Sequence, residues 1–374
     1  MKNVGIIGGG IGGVSTASAF HKFGIHATVY EKAPQLTEAG AGMMLWPNAT
    51  RILKRLGLLD PITARSGVNT HFLVRASCGK VLMNIAVGDS DVPALRTRRT
   101  DLLAALLSGL PGERIHLGRE FTHLEPSGST VRVHFADGTV AEHDAVIGAD
   151  GIRSRVRAQV FGISDPVYRG YRVWRGVADY QGHALRRGYS SETWGRGSRF
   201  GILDCGQGRF TWYATANALP IDTAPEHRKN ELLQRFAGWH EPIADLIEAT
   251  ELILENGAYD LPALPRWTAG RVTLLGDAAH PCTPNLGQGG GMAIEDALIL
   301  ATCVSTERSI ESALRRYELL RQPRTRHIQQ RSLWMGHIGQ WQNRAVVAGR
   351  SMVTGFLPAA LFEHNLRRVY SYGP

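Results

Sequence analysis

The stretch that most restricts what this chain can fold into is "VGIIGGGIGGVSTASAFHKFGIHATVYEK", residues 4–32. A short apolar run at 4–7 reads as a buried strand. A glycine turn follows, then a helix that ends near Gly24 and a second strand over 27–30. The glycines at Gly8, Gly10 and Gly13 fall in the G-x-G-x-x-G spacing inside a β-α-β unit, the context in which that spacing carries meaning. Gly8 allows the tight turn, Gly10 lets a diphosphate approach backbone, and Gly13 lets helix and strand pack closely, with Gly12 in the same turn. The helix start offers free N–H groups and a positive dipole end to that diphosphate. Glu31, at the end of the second strand and followed by Lys32, stands where a carboxylate accepts ribose hydroxyls. The unit therefore points to a dinucleotide cofactor.

Composition sets the limits around it. A chain of 374 residues, 43% hydrophobic and 20% charged, has material for one large or two medium cores. Its four cysteines form no C-x-x-C pair, so no metal site and no disulfide framework is indicated. The expectation is a soluble protein of the reducing cytoplasm, a monomer or homodimer, with no stable membrane insertion, because no apolar run approaches ~18 residues. The formal charge of +9 comes from arginines; only six of the 42 basic residues are lysine. They are scattered rather than gathered on one stripe with aromatics, which favours anionic small-molecule cofactors over nucleic acid.

The β-α-β repeat does not continue. Two helical stretches, "NATRILKRLGLL" and "RRTDLLAALLSGL", lead to "VRVHFADGTVAEHDAVIGADG", where Asp137-Gly138 marks a hairpin and 145–148 one more apolar strand. From Tyr168 to about Ala216 the pattern alternates and is rich in aromatics, turning back at 205–208, as an inserted antiparallel sheet would. Helical patterning follows over 225–248. "VTLLGD" then gives another strand of the first sheet, and the rest of the chain is helical, with a kink expected at Pro323.

A second set of glycines follows that late strand in "LLGDAAHPCTPNLGQGGGMAIEDA". Asp277 at the strand end can accept hydrogen bonds from a polyol, and backbone N–H groups at Gly287, Gly289 and Gly290 open a helix as a second anion-tolerant nest. Two such turns suit the two ends of one long cofactor. Pro284, with its fixed φ and no N–H, shapes the backbone beside the far end. His280 reads as a residue that holds the loop rather than as a catalyst.

With "GGGIGG" and Glu31, "DGIRSRVR" (Asp150, Gly151, Ser154, Arg157) and "GDAAHPCTPNLGQG", the chain closely resembles the class A flavoprotein monooxygenases, the single-chain aromatic hydroxylases, over nearly its whole length. The resemblance implies an α/β fold: a Rossmann-like FAD-binding domain of three layers with a β-meander (1–70, 96–165 and 266–305), interleaved with an antiparallel-sheet substrate domain (71–95 and 166–265), and a helical C-terminal region (306–374). It implies FAD as cofactor and a transient NADH or NADPH. It also implies that Arg99, in an R-x-D-L stretch, contacts cofactor phosphate, and that Asp150 and Gly151 touch both the flavin nucleotide and the nicotinamide. The bland alternative for those two is a strand-end turn, and for Arg157 a brace on that loop.

The chemistry implied is insertion of one atom of O2, through a C4a-hydroperoxyflavin, into an electron-rich aromatic or heteroaromatic ring or an alkene. The alternatives are another flavin oxidoreductase on the same scaffold, such as a halogenase or dehydrogenase, and a non-enzymatic FAD-binding protein. No W-x-W-x-I-P segment supports a halogenase, and a complete second glycine loop argues against a mere binder. The small aromatic substrate is expected between flavin and inserted sheet, where Arg199, Gly201, Leu203, Thr211 and Tyr213 share a face in a regular hairpin. Arg199, by resemblance to urate-type relatives, together with Tyr213 and Pro284, forms the candidate catalytic set. Trp174, Trp194 and Trp212 are either pocket walls or core.

Overall fold

The computed structural model describes residues 2–36, 42–87, 90–163, 165–182, 184–220 and 222–372. Mostly apolar segments of two to five residues, too short for helices, become the strands of a central sheet in the order Val272–Leu274, Ala145–Gly148, Asn3–Ile7, His26–Tyr30 and Ile115–His116. All of these pair in parallel, and Thr268–Ala269 adds an antiparallel edge. A parallel sheet has to be covered on both faces. Helices Ile11–Lys22 and Gly289–Thr306 pack on it, and a meander of Phe121–Ser127, Thr130–Phe135 and Val140–His143 contributes Phe121, Leu124, Val131, Val133 and Phe135 to the same core. The strand before the second glycine turn stops at Leu274, and Gly276–Ala278 forms a single 3-10 turn, so Asp277 lies beyond the strand rather than at its last residue.

The inserted sheet has seven strands, in the order Leu254–Asp260, Val167–Asp179, Arg209–Asn217, Ser198–Asp204, Tyr189–Trp194, His71–Ala76 and Val81–Ala86. It is antiparallel except where Tyr189–Trp194 pairs in parallel with His71–Ala76, a pair that alternation along either segment could not show because it joins residues 118 positions apart. A small sheet is formed by Gly42–Leu45, Ala94–Arg98 and Gly67–Asn69, interleaved in sequence with strands of the two large ones. Period-two alternation puts Trp174, Phe200 and Trp212 on one face, buried against helices Pro225–Arg235 and Ile243–Glu248. Trp174 and Trp212 are therefore core, on the opposite face from Tyr213. Those two helices correct the single helical stretch expected over 225–248: the segment between them, with Gly238 in the left-handed region, turns the chain.

Helix Ile310–Gly339 runs through Pro323 without ending. Proline removes the bond to the carbonyl four residues back, which belongs to Leu319, a residue on the exposed side of the helix (68% exposed). Helices Arg344–Phe356 and Ala359–Tyr370 then return over Val81–Ala86. No single helix among the described residues is long and apolar enough to cross a membrane.

A buried charge cluster ties these parts together. Asp296, on the helix that opens at Gly289, accepts from His280 Nε2 (2.6 Å), Arg321 Nε (2.6 Å) and the Gly276 backbone N–H (3.1 Å). Neighbouring Glu295 pairs with Arg321 (2.7 Å) and Arg324 (3.1 Å). Burial alone would raise the Asp296 carboxyl, but attraction to His280 and Arg321 and their hydrogen bonds bring it down to about 2. A depressed carboxyl stabilises the fold above its unfolded value and loses that stabilisation as pH falls through the folded value. Asp296→Asn is therefore expected to lower unfolding free energy by ~3 kcal/mol near neutral pH, since Arg321 stays buried with half its partners gone. Urea titrations at a series of pH values should show the wild-type advantage shrinking between about pH 4 and pH 2; a gap that does not change with pH would assign the loss to packing.

Candidate active site

The N-terminal turn is tight by necessity. Gly8 has φ +112°, and a Cβ there would stand 2.4 Å from the Ala149 carbonyl oxygen. One on Gly13 would stand 1.9 Å from the Gly8 carbonyl oxygen. Gly10 is the N-cap of helix Ile11–Lys22, whose first N–H groups face outward from the strand end. Gly12 faces Leu275 and Ala293 instead, at 3.0 and 3.5 Å from a Cβ position, so its smallness serves helix packing. Glu31 accepts from the Gly9 N–H (2.7 Å) and the Ala33 N–H (2.9 Å), which fixes its carboxylate beside the turn, and Lys32 is exposed next to it.

The second turn opens at the same edge of the sheet, two strands over, at roughly 10 Å. Gly276 and Gly287 both have φ +60°. Asp277 is exposed, and its Oδ1 is 3.9 Å from a Cβ position on Gly289. Pro284–Leu286 forms a 3-10 turn, and the helix from Gly289 presents the unpaired first N–H groups of Gly289 and Gly290. Around this turn Trp46 Nε1, Gln288 Nε2 and Asn48 Oδ1 are buried without a hydrogen-bond partner. Buried groups of this kind call for one. A flat ring with alternating acceptor and N–H edges matches two donors and one carbonyl, so these residues fit the flavin end of FAD, with the first turn for its diphosphate.

Between the two turns lies the D-G-x-x-S-x-x-R loop. Asp150 accepts from Ser154 Oγ (2.5 Å) and the N–H groups of Arg155 (2.7 Å) and Val156 (3.2 Å), so its carboxylate caps helix Arg155–Phe161. Gly151 has φ +81° with open space where a side chain would stand. Arg157 is buried and donates to the Ala278 carbonyl (2.9 Å), bracing this loop against the second turn. Arg99 opens helix Arg99–Leu107, where Asp101 pairs with Arg98 (2.7 Å). It lies close enough to Arg175 that burial and its charge together lower the Arg175 guanidinium.

The inserted sheet turns a polar face toward this edge. Arg199 pairs in register with Thr215, and Gly201 with Tyr213 and Glu192 on its two sides. A Cβ on Gly201 would be 2.1 Å from the Tyr213 ring, so Tyr213 lies across Gly201. Arg199 Nη1 pairs with Glu192 (2.9 Å), and Nη2 donates to Asn285 Oδ1 (2.6 Å). Asn285, next to Pro284, also donates through Nδ2 to Tyr171 Oη (3.0 Å), Thr283 Oγ1 (2.8 Å) and the Ser332 carbonyl (2.9 Å). Beside it a cavity of about 330 Å³ is lined by Tyr171, Asn217, Asn285, His337 and Trp341 among others.

Residues 1–332 match the FAD binding domain family. The chain belongs to that family. It is 36% identical over 375 residues to the aurachin C monooxygenase/isomerase of Stigmatella aurantiaca, covering 99% of this chain and 98% of that one. To the 6-hydroxynicotinate 3-monooxygenase of Pseudomonas fluorescens it is 32% identical over 90% of this chain and 91% of the relative. HpxO of Klebsiella pneumoniae, solved with FAD and uric acid, superposes with a TM-score of 0.93 at 27% identity over 100% of this chain and 97% of its own. The protein is an FAD-dependent aromatic hydroxylase of this family, with the fold the motifs imply.

As a member of this family it holds Gly8, Gly10, Gly13, Glu31, Asp277, Gly287, Gly289 and Gly290 along one sheet edge. Arg199 and Tyr213 lie across from the second turn, of which Pro284 is part, and Arg199 meets that turn at Asn285. Sequence reading missed Glu192 and Asn285. Glu192 shares the alternation of Trp194, and Asn285 adjoins Pro284, but the partner of each lies on another strand. Removing an acceptor or blocking the diphosphate approach should cost cofactor. Asp277→Ala and Gly10→Val are each expected to weaken FAD binding by roughly tenfold or more, for a lost hydrogen bond of about 1.5 kcal/mol or a steric block. The flavin-to-protein absorbance ratio after dialysis measures this, and full flavin content in both variants would remove these residues from the cradle.

Proposed function

We propose that this hydroxylase consumes NADH or NADPH and O2 and inserts one oxygen atom into a small electron-rich aromatic or heteroaromatic substrate held against the Tyr213 face. The observation that carries this reading is the bond from Arg199 to Asn285, which joins the polar face of the inserted sheet to the turn that cradles the flavin. Bound FAD supplies the reduction by nicotinamide and the activation of O2. This chain's own residues position and enclose. The Pro284–Leu286 turn and the N–H groups of Gly289 and Gly290 offer hydrogen bonds from backbone that does not reorganise during reaction. The packed sheet and helix Ile310–Gly339 keep water from the reacting atoms. A ring seated on Tyr213 meets a wall fixed by Gly201 and Arg199, which sets its distance to the flavin edge.

The nicotinamide has no second G-x-G-x-x-G strand turn in the sequence. Its visit is therefore brief, along the open groove at Gly151 and the basic residues beside it, and reduction is best timed to substrate.

Oxygen uptake matched one to one by NAD(P)H loss and by product tests the reading. Equal uptake that yields only peroxide with every ring compound tried would overturn it. Arg199→Ala is expected to keep FAD but lower product per NAD(P)H about tenfold, because the wall behind the substrate and the anchor of Asn285 are lost together. Anaerobic stopped-flow absorbance should show flavin reduction by NAD(P)H at least ~10-fold faster with a true substrate than without, a barrier change of about 1.4 kcal/mol. Equal rates would refute the timing alone.

A further inference from the structure

The helix Arg344–Phe356 carries its polarity inside out. It turns Arg350 and Thr354 inward, both 6% exposed. Arg350 donates there to the carbonyls of Gly195 (2.8 Å), Ile338 (2.9 Å) and Gly339 (3.2 Å) and lies over the Trp194 ring. The outer face is made of Ala345, Ala348, Met352, Val353 and Phe356, with Met352 60% and Phe356 84% exposed. At about 100° per residue these positions fall on one side of the helix, with no charge among them. A surface helix ordinarily does the opposite.

The next helix is apolar outside only at its start. Leu361, 50% exposed, is followed at i+3 and i+7 by His364 and Arg368 on the outer side of Ala359–Tyr370. Its inner side is anchored, with Leu357, Ala359, Phe362 and Leu366 packed on Val74, Met83 and Ile85 of the inserted sheet. An exposed apolar face of this extent marks an interaction site.

Charge decides what covers it. After Glu318 the chain has eight arginines and one acid, Glu363. Arg321 and Arg324 are tied to Glu295 and Asp296, whereas Arg344 at the start of the first helix and Arg368 near the end of the second are exposed. Glu363 is half-buried and accepts from the Ala86 N–H (3.2 Å). An isologous contact with a second copy would lay this face against itself and bring its arginines together, with no exposed acid on either helix to meet them. A bilayer with anionic headgroups matches both the apolar face and the charge. At 13 residues the first helix is about 20 Å long, short of the ~30 Å hydrocarbon core, and the chain bends by 93° between the two helices. These dimensions suit lying on a bilayer, not crossing one.

We propose that residues 344–368 dock this protein reversibly on an anionic phospholipid bilayer, with Met352, Val353, Phe356 and Leu361 in the headgroup–acyl boundary and Arg344 and Arg368 on lipid phosphates. None of these side chains belongs to the glycine turns or to the Tyr213 face, so docking and flavin loading are read separately.

Flotation of the FAD-loaded full chain through a density gradient with vesicles tests this. Wild type is expected to rise with phosphatidylcholine vesicles that contain about one third phosphatidylglycerol and to partition onto them at least ~10-fold more strongly than onto phosphatidylcholine alone. Most of that advantage should vanish between about 50 mM and about 500 mM salt. Met352→Ser combined with Phe356→Ser should weaken partitioning at least ~10-fold with flavin content unchanged, because both side chains can be lost without opening a core. Arg344→Gln combined with Arg368→Gln should lose roughly fivefold per arginine on the charged vesicles and nothing on neutral ones, and is the second test if the serine variant does not fold. Wild type that fails to float with either vesicle overturns the proposal, as do equal partitioning onto both and a serine variant that floats like wild type. A dimer in sedimentation velocity that the serine pair dissociates, with no flotation of wild type, would assign the face to a second copy instead.

Discussion

The buried acidic pair Glu295 and Asp296, held by Arg321, is the constraint on which the site depends. Two carboxylates side by side on one helix, both fully buried, repel each other and carry a desolvation cost of several kcal/mol per ion. They are tolerable only because each oxygen is used. Asp296 takes His280, Arg321 and the Gly276 N–H; Glu295 takes Arg321, Arg324 and the Asn48 side chain at 2.6 Å. The partners come from separate parts of the chain: the strand-end turn, the helix after Trp46, and the long helix Ile310–Gly339. The C-terminal segment joins through the Val369 carbonyl, which accepts from Arg324 at 2.6 Å. One cluster therefore sets the second glycine turn against the elements that cover it. This is the sense in which His280 matters: its ring fixes the loop through Asp296 and makes no approach to the reacting face.

Glycines do two different kinds of work here. At Gly8, Gly276 and Gly287 the backbone adopts positive φ, which makes the turns at the sheet edge possible. Gly201 has ordinary extended backbone in mid-strand, where glycine weakens a sheet. Its value lies in the missing side chain, since the Tyr213 ring occupies that space. Gly336 and Gly339 repeat the device from the facing helix. A Cβ on either would stand 2.5 Å from Asn285 Nδ2 or 2.8 Å from Arg199 Nε, so both residues let the helix close over the Arg199–Asn285 bond.

Most of the cofactor side was legible because its signals are local. A strand, a turn and a helix within thirty residues declare the first cradle, and "GDAAHPCTPNLGQG" declares the second in fourteen. The substrate side was legible only as far as alternation reaches. Period two placed Arg199, Gly201 and Tyr213 on one face and would have placed Trp174 and Trp212 on the other, had the register of the hairpin been known. Glu192 and Asn285 were not legible. Their contacts come from a partner on the neighbouring strand or on another element, and no spacing along the chain encodes a lateral contact. The parallel pair His71–Ala76 with Tyr189–Trp194 was missed for the same reason.

Asn285 links the two halves of this picture. Its carbonyl oxygen holds Arg199 and its amide holds Thr283 and the Ser332 carbonyl, so a displacement of Arg199 acts directly on the Pro284–Leu286 turn. The turn itself is short, opens on Pro284 and closes on a left-handed Gly287, which gives it few ways to yield. Strain imposed at Tyr213 and Arg199 is therefore passed to the backbone of the flavin cradle rather than absorbed between them.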